Sequence, residues 1–236
     1  MPATIARSTR PLLLAALLVA ATAQAQEPPS RHLAPGFTAR PAASRLLVLP
    51  ADMELFSISA GGVVEPRADW TDSAQKHFAQ ALAGQRKTLG ANVAEMSAGE
   101  AEDFHEIVAL HRAVADAISL HHDDLRLPTK GRKLDWSLGD AVRPLKERTG
   151  ADYALFTWMR DSYASSERKA VLLGMALLGA IPIGGEQVGY ASLVDLNTGR
   201  VVWFNELSRM WGDLREPQSA GETVEALLKN FPPLQP

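Results

Sequence analysis

Residues 188–205 read VGYASLVDLNTGRVVWFN and have the pattern of a β-hairpin. Two runs rich in apolar and β-branched residues flank Asn197, Thr198 and Gly199, and these three residue types favour turns. Gly199 suits the positive φ angle that a short hairpin loop requires. The stretch therefore predicts two antiparallel strands joined by a short loop.

The second strand of this hairpin is apolar on both faces. Simple alternation places Val202 and Phe204 on one face and Val201 and Trp203 on the other. Trp203 and Phe204 are then expected to pack on opposite sides of the sheet. A strand of this kind predicts a sheet that is covered on both sides or that contacts another molecule.

The rest of the chain alternates between strand-like and helix-like patterns. Short apolar runs predict strands at residues 45–50, 54–60, 91–97 and 151–159, with a turn at Gly61–Gly62. Helical periodicity predicts helices from a cap at Thr71 to Gly90, over 104–118 and 134–149, and from a capping box at Ser219 and Glu222 to Phe231. We expect an α/β (α+β) fold: a single domain over residues 44–233, in which a mixed, mostly central sheet is flanked by helices and a C-terminal β-hairpin precedes a closing helix.

The first 25 residues have the pattern of a secretory signal peptide. Arg7 and Arg10 precede the apolar stretch PLLLAALLVAA, and small residues offer a cleavage site after Ala25. Proline-rich residues 26–43 predict a flexible linker. We expect the mature chain to be exported to the periplasm, where it could be associated with the outer membrane.

Composition excludes several classes of function. The chain has no cysteine, which excludes disulfides, thiol catalysis, cysteine-based metal centres and a lipid anchor on cysteine. Cleavage after Ala25 removes two arginines and no acidic residue, so the formal net charge changes from −3 to −5. An acidic chain without a cluster of basic residues is not typical of a nucleic-acid binder.

An apolar insertion at residues 166–185 contains the run KAVLLGMALLGAIPIGG, from Lys169 to Gly185. Pro182 limits a helix that starts near Ala170 to about twelve residues, or about 18 Å, which is too short to cross a bilayer core of about 30 Å. A helix without a polar face must be buried in the domain or in a homo-oligomer, lie against a membrane surface, or insert into lipid. The residues expected to contact a partner or a membrane are Leu172, Leu173, Met175, Leu177, Leu178 and Ile181.

The histidine residues do not form a convincing metal site. His121 and His122, with Asp123 and Asp124, could converge only through loop bending, whereas zinc needs three or four ligands. We expect a solvated helix end there. His111 lies in the apolar stripe of its predicted helix and is expected to pack in the interior. We predict no metal and no cofactor.

One pair of residues offers an alternative, enzymatic interpretation. Ser166 and Lys169 match the S-x-x-K spacing of penicillin-recognising enzymes, although the companion motifs are missing. A periplasmic serine hydrolase that uses this pair is therefore the competing hypothesis. We nevertheless predict no catalytic site.

Three short motifs carry a resemblance to known proteins. The motifs LLVLP (46–50), TGADYALFTW (149–158) and ASLVDLNTGRVVW (191–203) together resemble a group of bacterial envelope proteins. This group includes the curli-secretion channel CsgG, penicillin-binding-protein activators of the LpoB type and the amino-terminal domain of TolB. The resemblance implies a compact α/β domain that works in the periplasm by protein contact. Many of these relatives are lipid-anchored, whereas this chain lacks the cysteine that would carry the lipid.

We therefore expect an exported, non-enzymatic accessory protein of the cell envelope. It is expected to act through the apolar segment 170–183, either on another envelope protein or on a second copy of itself, or by peripheral contact with a membrane. No nucleic-acid partner is expected.

Overall fold

The computed structural model describes residues 30–122, 125–177 and 185–235. The strands are β1 (Arg40–Pro41), β2 (Leu46–Val48), β3 (Asp52–Ile58), β4 (Val64–Pro66), β5 (Val93–Glu95), β6 (Tyr153–Ala164), β7 (Gln187–Asp195), β8 (Val201–Arg209) and β9 (Leu234–Gln235). The helices are α1 (Ala68–Gly84), α2 (Arg86–Leu89), α3 (Ala98–Glu102), α4 (His105–His121), α5 (Arg143–Thr149), α6 (Ser166–Leu177) and α7 (Pro217–Leu227), with a 3₁₀ turn at Gly139–Val142 before α5. The predicted signal peptide lies outside the described residues.

The long strand β6 organises the main sheet. One edge of β6 pairs antiparallel with β7, and the other edge pairs parallel with β2 and then with β3. The register against β6 differs by one residue between β2 and β3. The change occurs across Leu49–Ala51, where Pro50 interrupts the strand pattern. Strand β5 flanks β2, β4 flanks β3, and β8 completes the sheet beyond β7. The predicted mixed sheet with flanking helices is thus confirmed.

The hairpin from which the fold was predicted is formed by β7 and β8. Gly199 in its loop has a φ of +71°, as the turn requires. A Cβ atom at Gly199 would lie only 2.2 Å from the carbonyl oxygen of Gly139, so this position also has no room for a side chain. The loop is therefore specified by both backbone conformation and packing.

A β-bulge overturns part of the predicted alternation. Leu193 pairs with Trp203 and Val194 pairs with Val201, so Val202 is an extra residue in β8. Val202 and Trp203 consequently lie in one hydrophobic cluster, and Val201 and Phe204 lie in the other. The prediction that Val202 and Phe204 share a face was wrong, because the bulge reverses the alternation. Trp203 and Phe204 do pack on opposite faces.

Helices cover both faces of the sheet. On one face α1 and α7 contribute Phe78, Leu82 and Val224 to a cluster with Trp203. On the other face α4 and α5 pack their apolar residues against Phe156, Tyr190 and Phe204. A two-sided cover accounts for a hairpin that is apolar on both faces.

Three of the predicted helices begin at clearly different residues in the structure. Helix α7 begins at Pro217, so Ser219 and Glu222 lie inside the helix and form no capping box. Helix α1 begins at Ala68, and Thr71 Oγ1 instead accepts a hydrogen bond from the Leu55 backbone N–H at 2.9 Å. Within predicted helix 134–149 only the 3₁₀ turn and α5 form, because a proline such as Pro144 is tolerated in the first turn of a helix but not in its interior.

The N-terminal segment 30–43, which the sequence places in a linker, packs against the domain instead. The Ala34 N–H donates to Val202 O and the Phe204 N–H donates to His32 O, both at 3.0 Å, so this segment continues the sheet beyond β8. Strand β1 pairs with β9 close to the end of the described chain. These contacts are between residues far apart in sequence, and a proline-rich composition does not reveal them.

Candidate docking site at the apolar end of the sheet

Helix α6 is formed by the first part of the apolar insertion. The Ser165 N–H donates to Ile58 O at 2.9 Å, and Ser165 Oγ accepts from the Arg168 N–H at 3.2 Å, so the first turn is capped and joined to β3. Arg168 also donates from Nη1 to Ser59 O at 3.3 Å. The start of α6 is therefore fixed to the end of the sheet.

The described part of α6 contributes no buried residue to the domain. Leu173 is 65% exposed and Leu177 is 81% exposed. Met175 is also exposed, whereas Leu172 is half-buried against the domain. Leu178 and Ile181, the other two predicted contact residues, lie outside the described residues.

Two further exposed apolar elements lie at the same end of the sheet. Val63 ends the β3–β4 turn and Val64 begins β4, and Ile58 of that hairpin pairs with Ala164 just before α6. Met210 and Trp211 directly follow β8 and are 69% and 71% exposed. We call this surface the apolar end; it comprises Val63, Val64, Val171, Leu173, Met175, Leu177, Met210 and Trp211.

The sequence pattern indicated only the α6 part of the apolar end. Met210 and Trp211 follow the predicted hairpin, and the available signal was an apolar pair placed just before Gly212. Val63 and Val64 follow the predicted Gly61–Gly62 turn. Only the sheet register brings these segments to one end.

A buried polar network lies beneath the apolar end. Asp161 of β6 accepts hydrogen bonds from Tyr163 OH and, at 2.5 Å, from Gln187 Nε2. Gln187 Oε1 in turn accepts from Arg209 Nε at 2.7 Å and from Thr223 Oγ1 at 3.1 Å. The network connects the central strands to α7 and was not predicted, although Asp161 stands out as a charged residue in an apolar strand.

The same network positions the loop that carries Met210 and Trp211. Tyr163 OH accepts a hydrogen bond from the Leu214 N–H at 2.7 Å. Gly212 has a φ of +108°, and a Cβ atom there would lie 2.8 Å from Arg209 Nη2. The loop therefore lies closely against the buried arginine.

The pKa of Asp161 provides a test of this network. Burial raises the pKa of this carboxyl group from 3.8 to about 6, against the lowering effect of the hydrogen bonds from Tyr163 and Gln187. Because the folded-state pKa lies above the unfolded value, the folded chain binds more protons between about pH 4 and pH 6. The contribution of Asp161 to stability is present below about pH 4 and is lost as the pH rises through about 6, which amounts to about 2–3 kcal/mol.

We expect Asp161→Asn to remove this contribution to the pH dependence. Urea unfolding of the wild type and the variant would be measured at several pH values from 4 to 7. Their difference in unfolding free energy should change across this window, while the contributions of all other groups cancel. A difference that stays constant with pH would contradict the assignment.

The histidines hydrogen-bond to neighbouring groups of the protein. His111 is buried, stacks on Phe156 at 3.9 Å between ring centroids, and hydrogen-bonds to Ser192. Burial, assisted by the charge of Arg112, lowers its pKa from 6.5 to about 3, so His111 is neutral near pH 7 and has the predicted packing role.

No group of three or more possible metal ligands occurs within 30–122, 125–177 and 185–235. His121 Nδ1 donates to Leu125 O at 2.6 Å and His122 Nε2 donates to Arg31 O at 2.8 Å. Asp123 and Asp124 lie outside the described residues.

The Ser166 and Lys169 pair does not have the geometry of a catalytic dyad. Both residues are exposed on the first turn of α6. No hydrogen bond joins their side chains in the described part of the chain, and no third residue orients them. The arrangement gives no support to the hydrolase hypothesis.

The described helices do not include one that is both long enough and apolar enough to span a membrane.

No protein-family model and no curated protein matches the sequence. Among solved structures, the chain is similar to the PelC dodecamer from Paraburkholderia phytofirmans, with 14% identity over 84% of this chain and 96% of that chain and a TM-score of 0.39. It is similar to lipoprotein GNA1162 from Neisseria meningitidis, with 14% identity over 80% and 96% of the two chains and a TM-score of 0.33. It is also similar to the LpoB C-terminal domain from Escherichia coli, with 15% identity over 75% and 87% of the two chains and a TM-score of 0.30.

The LpoB type, which the sequence motifs suggested, is thus found among structural neighbours, whereas a likeness to CsgG is not shown. With identities below 25% and TM-scores below 0.5, these likenesses carry no inference about the chemistry or the partners of this chain.

Proposed function

We propose that this chain is an exported, non-enzymatic accessory protein of the cell envelope. It acts by contact through the apolar end, either with another envelope component, which is a protein or a membrane surface, or with a second copy of itself. The observation that carries this proposal is the gathering of exposed apolar side chains at one end of a sheet that is otherwise covered on both faces.

Helix α6 lies outside the hydrophobic interior of the domain. The two hydrophobic clusters are filled by other elements, and no described residue of α6 belongs to either cluster. Burial of one large apolar side chain is worth about 1.5–3 kcal/mol. Covering several exposed side chains of α6 would therefore contribute a large favourable free energy to binding. Contiguous apolar patches on monomeric proteins commonly mark sites of interaction.

The test replaces two exposed leucines of α6 by aspartate. The chain starting at Gln26, which retains every described residue, would be mixed with isolated cell envelopes and sedimented. We expect Leu173→Asp together with Leu177→Asp to lower the bound fraction by about tenfold or more, because two apolar contacts are lost and two charges are placed in the interface. Analytical ultracentrifugation without envelopes would show whether self-association is lost instead.

The matched control places the same charges elsewhere. Leu120 and Leu125 are exposed leucines away from the apolar end, so Leu120→Asp with Leu125→Asp should bind envelopes as the wild type does. Unfolding midpoints of all variants should remain close to that of the wild type. Equal sedimentation and equal self-association of the Leu173→Asp/Leu177→Asp variant and the wild type would refute the proposal.

A further inference from the structure

A cleft of about 350 Å³ separates α6 from the loop after β8. Leu172, Leu173 and Ala176 of α6 line one wall. Tyr163, Asp213 and Arg215 line the other wall. The apolar end thus contains an open, mostly apolar space beside the projecting helix, and this space has charged groups on one side.

The charged groups of the cleft are predominantly positive. Asp213 binds Arg215 through both carboxylate oxygens, at 2.8 and 2.6 Å, so its charge is already compensated. Lys169 is exposed, lines the same cleft, and adds a second positive charge. The three charged side chains that line the cleft therefore carry a net charge of +1, which comes from Lys169 and favours an anionic ligand group at this side of the cleft.

Arg215 is held rigidly for such a contact. Its guanidinium lies over the ring of Trp70 at 4.3 Å and over the ring of Tyr163 at 4.1 Å from the ring centroids. Tyr163 is itself fixed by Asp161 and by the Leu214 N–H. A stacked, paired arginine loses little conformational entropy when a ligand binds beside it.

The exposed apolar residues of α6 are distributed around the helix in a way that favours contact with lipid over contact with a protein. At about 100° per residue, the exposed residues Val171, Leu173, Met175 and Leu177 point to both sides of the helix, and Leu172 faces the domain. The flat surface of a protein partner would cover one side only. Hydrocarbon can contact both exposed sides of the helix, and the eight apolar residues Ala170–Leu177 span about 12 Å, which fits within one leaflet of about 15 Å. Trp211 is exposed in the loop after β8, and tryptophan is a residue type enriched where membranes meet water.

We propose that the apolar end enters one leaflet of a bilayer and that the cleft binds one acyl chain of an anionic lipid, whose headgroup contacts Lys169 and Arg215. This inference rests on the proposed function and specifies its partner. The lipid is taken from the bilayer, so α6 and the bound acyl chain lie side by side in the same leaflet.

The experiment uses vesicles that contain no protein. The chain starting at Gln26 would be titrated with vesicles of phosphatidylcholine alone and of phosphatidylcholine mixed with phosphatidylglycerol. We expect about tenfold tighter binding to the mixed vesicles at low salt, and a loss of this preference in Lys169→Glu. Lys133→Glu, which makes the same charge change on an exposed loop away from the apolar end, should keep the preference.

A second variant tests the cleft separately from the charge. Ala176→Trp fills the space between α6 and the loop after β8, and it should weaken binding to the mixed vesicles about fivefold or more although it adds apolar surface. Unfolding midpoints would confirm that each variant is folded. Unchanged binding by Ala176→Trp would exclude an acyl chain from the cleft, and equal binding of the wild type to both vesicle types would exclude the headgroup contact.

Failure of this inference can be distinguished from failure of the proposed function. Binding to isolated envelopes without binding to vesicles would mean that the partner is a protein, which overturns the lipid site and leaves the proposed function intact. Self-association with no vesicle binding would assign the apolar end to a second copy and would also overturn the lipid site. Absence of all three interactions would overturn both proposals.

Discussion

Trp203→Ala is expected to lower the free energy of unfolding by about 4 kcal/mol, the range found when large aromatic residues in protein interiors are truncated. Trp203 is fully buried at 0% exposure and meets Phe231 edge to face, with 4.9 Å between the ring centroids. Its backbone forms a bridge with Leu33 of the N-terminal segment. The substitution would leave a cavity at the junction of the sheet, the N-terminal segment and the C-terminal residues. Urea unfolding followed by circular dichroism would measure the loss.

Two other tryptophan variants make this prediction specific. Trp211→Ala applies the same truncation to an exposed side chain of the apolar end and should change stability by less than about 0.5 kcal/mol. Trp203→Phe keeps most of the ring and removes an indole N–H that has no hydrogen-bond partner in the described chain, so it should cost clearly less than alanine. If Trp203→Ala were no more destabilising than Trp211→Ala, the packing described for β8 would be incorrect.

Arg40→Ala is expected to lower the free energy of unfolding by about 2–3 kcal/mol, because buried carbonyl groups lose their donor and the arginine stem leaves a cavity. Arg40 is completely buried and donates from Nε to Pro232 O at 3.3 Å and from Nη2 to Thr88 O at 3.1 Å. Burial lowers its pKa from 12.5 to about 10, so the group remains charged near pH 7. The guanidinium also lies over Phe231 at 4.7 Å.

The position of Arg40 gives this variant a local effect as well. Its backbone N–H donates to Pro233 O at 2.8 Å, and β1 pairs there with β9. Amide hydrogen exchange should therefore accelerate most at residue 40, Leu234 and Gln235, because Pro41 and Pro233 have no amide hydrogen. Arg45→Ala, at an exposed arginine, serves as the control and should leave stability and exchange nearly unchanged. Equal unfolding curves for Arg40→Ala and Arg45→Ala would contradict the assigned role.

These two substitutions and those at the apolar end should affect different properties. Trp203 and Arg40 lie where residues 30–43 and residues 231–235 pack against the domain, whereas Leu173 and Leu177 contribute nothing to the interior. Core variants should change stability, and apolar-end variants should change binding at nearly constant stability. A protein that acts by contact can show this separation because its contact surface is not part of its core.

Local patterns were sufficient to predict most of the elements. The hairpin of β7 and β8 was predicted because its turn residues and its apolar runs are adjacent in sequence. The apolar stripe of α4, including the buried His111, was predicted because helical periodicity repeats within a few residues. Gly150 was predicted to end a helix, and it does so in the left-handed conformation. The apolar insertion was recognised from composition alone.

Features that depend on distant partners were missed or wrongly predicted. The bulge at Val202 depends on the register with β7 and cannot be read from β8 alone, so the predicted faces of Val202 and Phe204 were wrong. Ser219 and Glu222 have the spacing of a capping box, yet α7 begins at Pro217. Residues 30–43 resemble a linker in composition, although contacts with β8 and β9 hold them on the domain.

The candidate docking site was likewise predicted only in part from the sequence. The sequence by itself determined that this chain carries a short, strongly apolar segment, because hydrophobicity is a property of the side chains. Only the tertiary structure decided that α6 remains uncovered, that Met210 and Trp211 join it at one end of the sheet, and that Asp161 is buried beneath them. Exposure is settled by which other parts of the chain fold over a residue, and that depends on pairings between strands far apart in sequence.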